Sequence, residues 1–455
     1  MLIGRERESR YFKKKTASER AELLVLYGRR RVGKTFLLSN LFPEALFFSA
    51  DLSDVHLQTA RFSEEVKRRL GLPATLAVST WDELFALVEN LVRSRTLQGG
   101  GRFVFVWDEF QYLPERDPAF LSVFQRWWDS TFSALPVTMI LCGSFIGMME
   151  RIALSSGSPL YGRRTGQYFL KPLPFAESSR FLPSMSVRDR ISTYSVTGGI
   201  PLYLNQFASA SSFRQGLLDG VLSPGEFLAE EGRFLVLEEF KRDPSTYFAI
   251  LQTVAAGRTR PSEVASVAGV PYNSLGTYLA SLLEMNLVVK EYPFTLKKPK
   301  KTPLYFMDDD YLRFYFRYLQ GRQDMIYRER GEEMLGMIES TLPMHVSLTF
   351  ERICRQVLEA WRYPQALGRW WDSEDEVDIV AVAENTLLTC ECKWTGSPMG
   401  RRELAELQRR TGKLMRALGG DFETEHYLFS KSSFKGLEEG NGLHLIDPER
   451  LEQGD

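Results

Sequence analysis

The stretch AELLVLYGRRRVGKTFLLSNLF, residues 21–42, constrains the fold more than any other part of the chain. A short apolar run leads into G-x-x-x-x-G-K-T from Gly28 to Thr35, and a second apolar-rich run follows. The pattern predicts strand, loop and helix in succession. Glycines let the backbone curl so that loop N–H groups and the helix N-terminus converge on an anion. Gly28, Arg29, Arg30, Arg31, Val32, Gly33, Lys34, Thr35 and Phe36 are therefore the candidate cradle for the phosphates of ATP. Lys34 is placed to neutralise the β and γ phosphates, and Thr35 to hold Mg2+. The three arginines occupy the variable positions of the loop; they are expected to reach into solvent or cap nearby acids, the other reading being a local positive field for a polyanion.

Triphosphate chemistry needs an acidic strand end, and GRFVFVWDEFQYL supplies one. Five apolar residues, Phe103 to Trp107, run into Asp108 and Glu109. A strand apolar on both faces belongs inside a parallel sheet, whose carboxyl edge is where such sheets bind ligands. Asp108 is expected to support the metal and Glu109 to act as the base that polarises the attacking water. A third strand, VTMILCGS, ends at Ser144, a candidate sensor of the γ phosphate. In SPLYGRRTGQYFLKPL, Arg163 and Arg164 beside Gly162 are candidates to reach a phosphate, either in cis or across a contact in a homo-oligomer.

Charge excludes one class of protein. Lys plus Arg number 57 against 58 Asp plus Glu, so no general basic field coats a nucleic acid, and any such contact must be local. The 4 cysteines form no CxxC pair, and no apolar run approaches the length of a membrane span. A reduced, cytoplasmic protein away from membranes is the expectation. Four histidines, His56, His345, His426 and His444, show no spacing that suggests a metal site or triad.

The segments IGRERE, YGRRRVGKT, DEFQYL, LYGRRT and TGGIPLYL together resemble the archaeal-type ATPase family, P-loop proteins allied to the AAA and STAND classes. The resemblance runs over nearly the whole chain. It implies that Gly4, Arg5 and Glu6 lie near the adenine and that Pro201 of the GGIP turn closes over the base or ribose.

Beyond residue 205 the pattern changes to amphipathic helices, broken at SPGE. DPSTYFAILQTVAAG then places Asp243 at an N-cap, Pro244 at the first helical position and Gly257 past the end. A short helix, a turn at Gly269 and a longer helix from about Asn273 form a helix-turn-helix, with LVVKEYPF and TPLYFMDD as wing strands. The wing tip holds Lys297, Lys298, Lys300 and Lys301, yet the candidate recognition helix has neither Arg nor Lys. DNA binding and a packing or partner-binding role both stay open.

In the last part, VDIVAVAENTLLTCECKW reads as two strands joined near Glu384 and Asn385. A two-residue loop sets Ala383 against Thr386 and Asp378 against Glu391. Alternation then puts Asp378, Glu391 and Lys393 on one face. Like charges so placed repel unless a cation neutralises them. The pattern resembles the PD-(D/E)xK nuclease core, which implies a metal site at Asp378, Glu391 and the upstream Glu351, with Lys393 catalytic. A structural salt-bridge cluster, or a nuclease fold without activity, is the alternative. The expected class is thus α/β: a P-loop NTPase with a parallel sheet (1–205), a helical linker (206–242), a winged-helix unit (243–330) and a restriction-endonuclease-like α/β domain (335–455).

Overall fold

The structure, a computed structural model, describes residues 2–297 and 302–453. It divides into two compact units, Met1–Pro172 and Leu173–Asp455. The range 1–205 expected for the ATPase domain extends past this division by the helices Phe175–Ser179, Val187–Thr197 and most of Pro201–Phe207.

In the first unit, β1 (Glu22–Tyr27), β2 (Leu46–Ser49), β3 (Phe103–Asp108), β4 (Val137–Gly143) and β5 (Gly166–Phe169) form one parallel sheet in the order β2-β3-β4-β1-β5. Every residue of β1 and β4 is buried, as the unbroken apolar runs require when helices cover both faces. One face is filled by aromatic rings, with Trp107 lying 4.8 Å from Phe48 and Trp81 4.7 Å from Phe120. Strand β4 separates the P-loop strand from the acidic strand. Register aligns Tyr27 with Gly143 and Trp107 with Leu141, so the segments that follow β1, β3 and β4 emerge at the same edge.

In the second unit, the helices Phe213–Gly220 and Glu231–Glu239 lead to three more, Pro244–Ala255, Pro261–Ala268 and Tyr272–Glu284, and to an antiparallel pair, β6 (Val288–Glu291) with β7 (Leu304–Met307). Gly269 takes φ 68° at the turn between the second and third of these helices, a conformation glycine adopts without strain. Asp243 caps differently from the expectation. Its carboxylate accepts from the hydroxyls of Thr246 (2.9 Å) and Tyr278 (2.7 Å), not from a backbone N–H. Of the expected basic wing tip, Lys298, Lys300 and Lys301 lie outside the described residues.

A long helix, Gly331–Arg362, then precedes a mixed sheet of β8 (Ala366–Trp371), β9 (Glu376–Ala383), β10 (Thr386–Lys393), β12 (Glu423–Ser430) and β14 (Leu443–Ile446), in the order β14-β12-β10-β9-β8. A short parallel pair, β11 (Met399–Gly400) with β13 (Phe434–Lys435), flanks it. β8, β9 and β10 run antiparallel, whereas β10, β12 and β14 run parallel. The long helix packs on one face with Cys354, Cys390 and Cys392, and the helix Arg401–Leu418 packs on the other with Leu387, Val380 and Leu428. Register sets Ala383 against Thr386 and continues to Ile379 against Cys390, as the two-residue loop demands.

Asp310 anchors the long helix from inside the same unit. One oxygen of its buried carboxylate accepts from Arg313 (2.5 Å) and Thr349 (2.9 Å), and the other takes Arg352. His345, fully buried on the same helix, hydrogen-bonds the Ser195 carbonyl at 2.9 Å.

Candidate functional site

The loop after β1 closes on the helix Lys34–Leu41 through two glycines with distinct jobs. A Cβ on Gly28 would lie 2.4 Å from the Leu170 carbonyl oxygen, and Gly33, at φ 90°, is the N-cap. Neither position tolerates a side chain without a shift of backbone. Lys34 turns back into its own loop, donating to the carbonyls of Gly28 (2.9 Å) and Arg29 (3.0 Å). Burial pushes its ammonium below the ordinary lysine value, although Cys142, Glu109 and Asp108 pull the other way.

The acids arrive as the strand order dictates. Thr35 donates its hydroxyl to Asp108 Oδ2 at 2.7 Å. Glu109, in the left-handed region at φ 50°, accepts from Ser144 (2.7 Å) and from the Gln111 amide (2.5 Å), both on Oε2. The structure therefore brings Thr35, Asp108, Glu109 and Ser144 to one edge beside Lys34. Hard oxygen donors of this kind suit Mg2+, which takes one or two carboxylates and fills its remaining positions with water and phosphate oxygens. Beneath Asp108, burial raises the Cys142 thiol well above its ordinary value, so it stays protonated.

Sequence reasoning missed Gln111. Its Oε1 is buried with no hydrogen-bond partner among the described residues, and a Cβ on Gly143 would meet that atom at 2.6 Å. The signal was present in DEFQYL, but which way the glutamine turns depends on β4.

The remaining residues of the first unit are placed as follows. Arg5 is buried and donates to the Val32 carbonyl at 3.0 Å, tying the N-terminal segment that holds Gly4 and Glu6 to the P-loop. Of the arginine run, only Arg31 is exposed. Arg30 is held back, donating to the Tyr112 hydroxyl (3.1 Å) with its guanidinium 4.9 Å from the centre of the Phe145 ring, so it does not reach into solvent as expected. Phe36 is half exposed on its helix. Arg163 forks onto Asp129 (2.8 Å) and also donates to the Pro159 carbonyl, while Arg164 donates to the carbonyls of Ala153 and Leu154. Both arginines are thus committed to local partners. Pro201 belongs to the second unit, at the first position of the helix Pro201–Phe207.

A second cluster lies at the ends of β9 and β10. Asp378 accepts from the Cys392 N–H at 2.8 Å. Burial, then the charges of Glu351 and Glu391, push its carboxyl well above the ordinary range. Burial likewise raises Glu351 to about 7, against the pull of Arg369, with which it is paired. Glu391 is occupied on both oxygens, by Lys393 (2.7 Å) and by Arg410 (2.9 Å). Burial disfavours the Lys393 charge, but Glu391 outweighs it and the lysine is raised.

Of the acids from Asp372 to Glu376, Glu374 and Glu376 are exposed, and the others are held by the helix Arg401–Leu418. Asp375 is buried and pairs with Arg409 and Lys413, and Lys413 also holds Asp372 at 2.8 Å. Arg369 and Arg410 were not foreseen as members of this site. Among the described residues no three or more His, Cys, Asp or Glu side chains are gathered into a metal cage. Carboxylate oxygens are the hard donors a divalent cation takes, but Arg369, Lys393 and Arg410 already balance the charges of Glu351 and Glu391, which leaves Asp378 as the acid without an ion-pair partner among the described residues.

No helix among the described residues is long and apolar enough to cross a membrane. An uncharacterized protein of Methanocaldococcus jannaschii is 28% identical over 460 residues, covering 99% of each chain. An uncharacterized ATP-binding protein of the same organism is 45% identical over 38 residues, 8% of this chain and 64% of that one. Among solved structures, a Walker-type ATPase of Pyrococcus abyssi superposes with a TM-score of 0.53 at 20% identity, covering 70% of this chain and 96% of its own, which speaks for the fold. Residues 315–407 match a family described as archaeal and bacterial proteins of unknown function, and residues 2–207 match one described as an ATPase domain predominantly from Archaea. With its P-loop, acidic strand end and parallel sheet in place, the chain is similar to the archaeal-type ATPase domain over residues 2–207 and to that second family over residues 315–407.

Proposed function

We propose that this protein is an Mg2+-dependent ATPase whose nucleotide state is coupled to a DNA-binding winged helix and a nuclease-like C-terminal domain. One observation carries the ATPase reading: the Thr35 hydroxyl and the Asp108 carboxylate, 73 positions apart in sequence, meet at 2.7 Å beside Lys34. When bound, Mg2+ would neutralise charge on the β and γ phosphates. Lys34 would leave the carbonyls of Gly28 and Arg29 for the phosphates, Thr35 and Asp108 would hold the metal, and Glu109 would take a proton from the attacking water. Arg5 ties the N-terminal segment to the loop through the Val32 carbonyl. Arg163 and Arg164 join only if they exchange their present partners for a phosphate. ATP hydrolysis with Mg2+, compared between wild type and Glu109→Gln, tests the base; equal rates remove Glu109 from that role.

A second reading, a nucleotide switch that hydrolyses slowly, is favoured by the double hydrogen bond on Glu109. An oxygen that already accepts from Ser144 and Gln111 is a poor proton acceptor until one of them leaves. Steady turnover and a single-turnover burst distinguish the two.

For the second unit, the three helices and antiparallel pair are read as a winged helix, with Lys297 in the loop that joins the two strands. The Asp378, Glu391, Glu351 and Lys393 cluster is read as a metal-dependent phosphodiesterase site. Lys393, kept charged by Glu391, would orient water while the carboxylates hold the cation. Intact plasmid after incubation with Mg2+ or Mn2+, with and without ATP, would remove this part of the proposal.

A further inference from the structure

The helix Arg401–Leu418 carries Arg401, Arg402, Arg409, Arg410, Lys413 and Arg416 against Glu403 and Glu406, in a chain whose net charge is -1. Its buried stripe, Leu407, Thr411 and Leu414, faces the sheet. Arg402, Arg409 and Arg416 recur every seventh residue, and each such step turns a helix by only about 20°. They therefore share the crest opposite that stripe, and all three are exposed. From Arg402 to Arg416 the crest runs about 21 Å, the length of about six base pairs of a duplex.

None of the three is held fast. Arg402 meets Glu406 at 3.2 Å in a pair open to solvent, the kind that contributes least. Arg409 shares Asp375 with Lys413, which stays at 3.0 Å if the arginine turns away. Arg416 has no ion-pair partner among the described residues. Beside the crest stand Ala405 and Gly412. A Cβ on Gly412 would meet nothing within 4 Å, so packing does not require glycine there, and alanine would make the stronger helix. A surface kept low beside three guanidinium groups suits the close approach of a backbone. Among the described residues no large apolar side chain of this helix is exposed, so the crest offers neither the anchor a protein partner needs nor a platform for stacking single-stranded bases.

We propose that this crest binds the phosphate backbone of a double-stranded nucleic acid. Contacts of guanidinium groups with phosphates carry no sequence information, so the crest holds a duplex without reading it. The proposal rests on the reading of the C-terminal domain as one that engages nucleic acid, but it needs no cation at the carboxylates.

Fluorescence anisotropy of a labelled duplex of about 20 base pairs, with the full chain in EDTA and no nucleotide, reads affinity and its dependence on salt between about 50 and 200 mM KCl. Arg402→Gln with Arg416→Gln, two surface changes, should flatten the slope of log affinity against log salt by about 2, and adding Arg409→Gln by about 3. Lysine at all three positions should keep the wild-type slope. Gly412→Gln should weaken binding although the melting temperature holds or rises. Parallel arms with duplex DNA and duplex RNA identify the source of the backbone, and tighter binding of either supports the crest. A single strand of the same length, or polyglutamate, bound as tightly as the duplexes overturns the choice of partner. A slope that all three glutamines leave unchanged overturns the crest and leaves nucleic-acid binding elsewhere on the chain. No binding by wild type at the lowest salt overturns the crest and the reading beneath it together.

Discussion

Replacing Lys34 by Met separates what the P-loop lysine does for ATP from what it does for the fold. The substitution keeps an unbranched chain of similar bulk and removes the charge. Burying an ammonium costs several kcal/mol. Its two hydrogen bonds, to Gly28 and Arg29 at 2.9 and 3.0 Å, return about 1.5–3 kcal/mol each. Those contributions nearly cancel, in keeping with a lysine whose pKa burial pulls down. The nucleotide-free variant should therefore melt within about 2 °C of wild type, or above it. ATP with Mg2+ is the opposite case. At about 100 times the dissociation constant it should stabilise wild type by about 2.7 kcal/mol, or about 5–10 °C for a unit of this size, and the variant by almost nothing. Differential scanning fluorimetry with and without Mg-ATP reads both quantities. A nucleotide-free melt lowered by more than about 5 °C would show Lys34 to be a structural strut, and an ATP shift preserved in the variant would refute its role toward phosphate.

Three further outcomes are expected. Glu109→Gln should slow ATP hydrolysis by at least about 100-fold with nucleotide affinity retained, whereas Ser144→Ala, by freeing Oε2 of Glu109, should raise the single-turnover rate if the hydroxyl restrains the base and lower it if the hydroxyl positions the water. His345 is held well below its ordinary pKa by burial, so below about pH 6.5 the unfolded chain takes a proton that the folded chain refuses; stability should fall with acidity by up to about 1.4 kcal/mol per pH unit, and urea midpoints between pH 7 and 5 should lose that slope in His345→Gln. Lys393→Ala should abolish Mn2+-dependent nicking of plasmid while Asp378-dependent Mn2+ binding persists, and nicking at the wild-type rate would dismiss the lysine.

The local parts of both sites were legible from the sequence because they rest on short-range rules. Strand, loop and helix around Gly28 to Thr35 follow from glycine positions and the change of periodicity. The alignment of Ala383 with Thr386 follows from counting across a two-residue loop. What stayed hidden depends on partners far away in the chain. Arg410 reaches Glu391 only because the helix Arg401–Leu418 packs across β10, and Arg369 reaches Glu351 only because β8 adds at the sheet edge. The pairing of Asp372 and Asp375, just before β9, with Arg409 and Lys413 depends on that same helix. Arginines offer no spacing rule of the kind glycines do. Arg30, Arg163 and Arg164 each found nearby hydroxyls, carboxylates or carbonyls that no motif encodes.

On the Gly331–Arg362 helix, Thr349 and Arg352 hold Asp310 while Glu351, between them, meets Arg369 of β8. Three grips within a single coil leave no slack. A rotation that points Glu351 elsewhere must loosen the Asp310 anchor, and a slip by one pitch, about 5.4 Å, would unseat all three together. The helix thus behaves as a keyed shaft with one seated setting, and the turn that grips Asp310 is the same turn that presents Glu351 to β8.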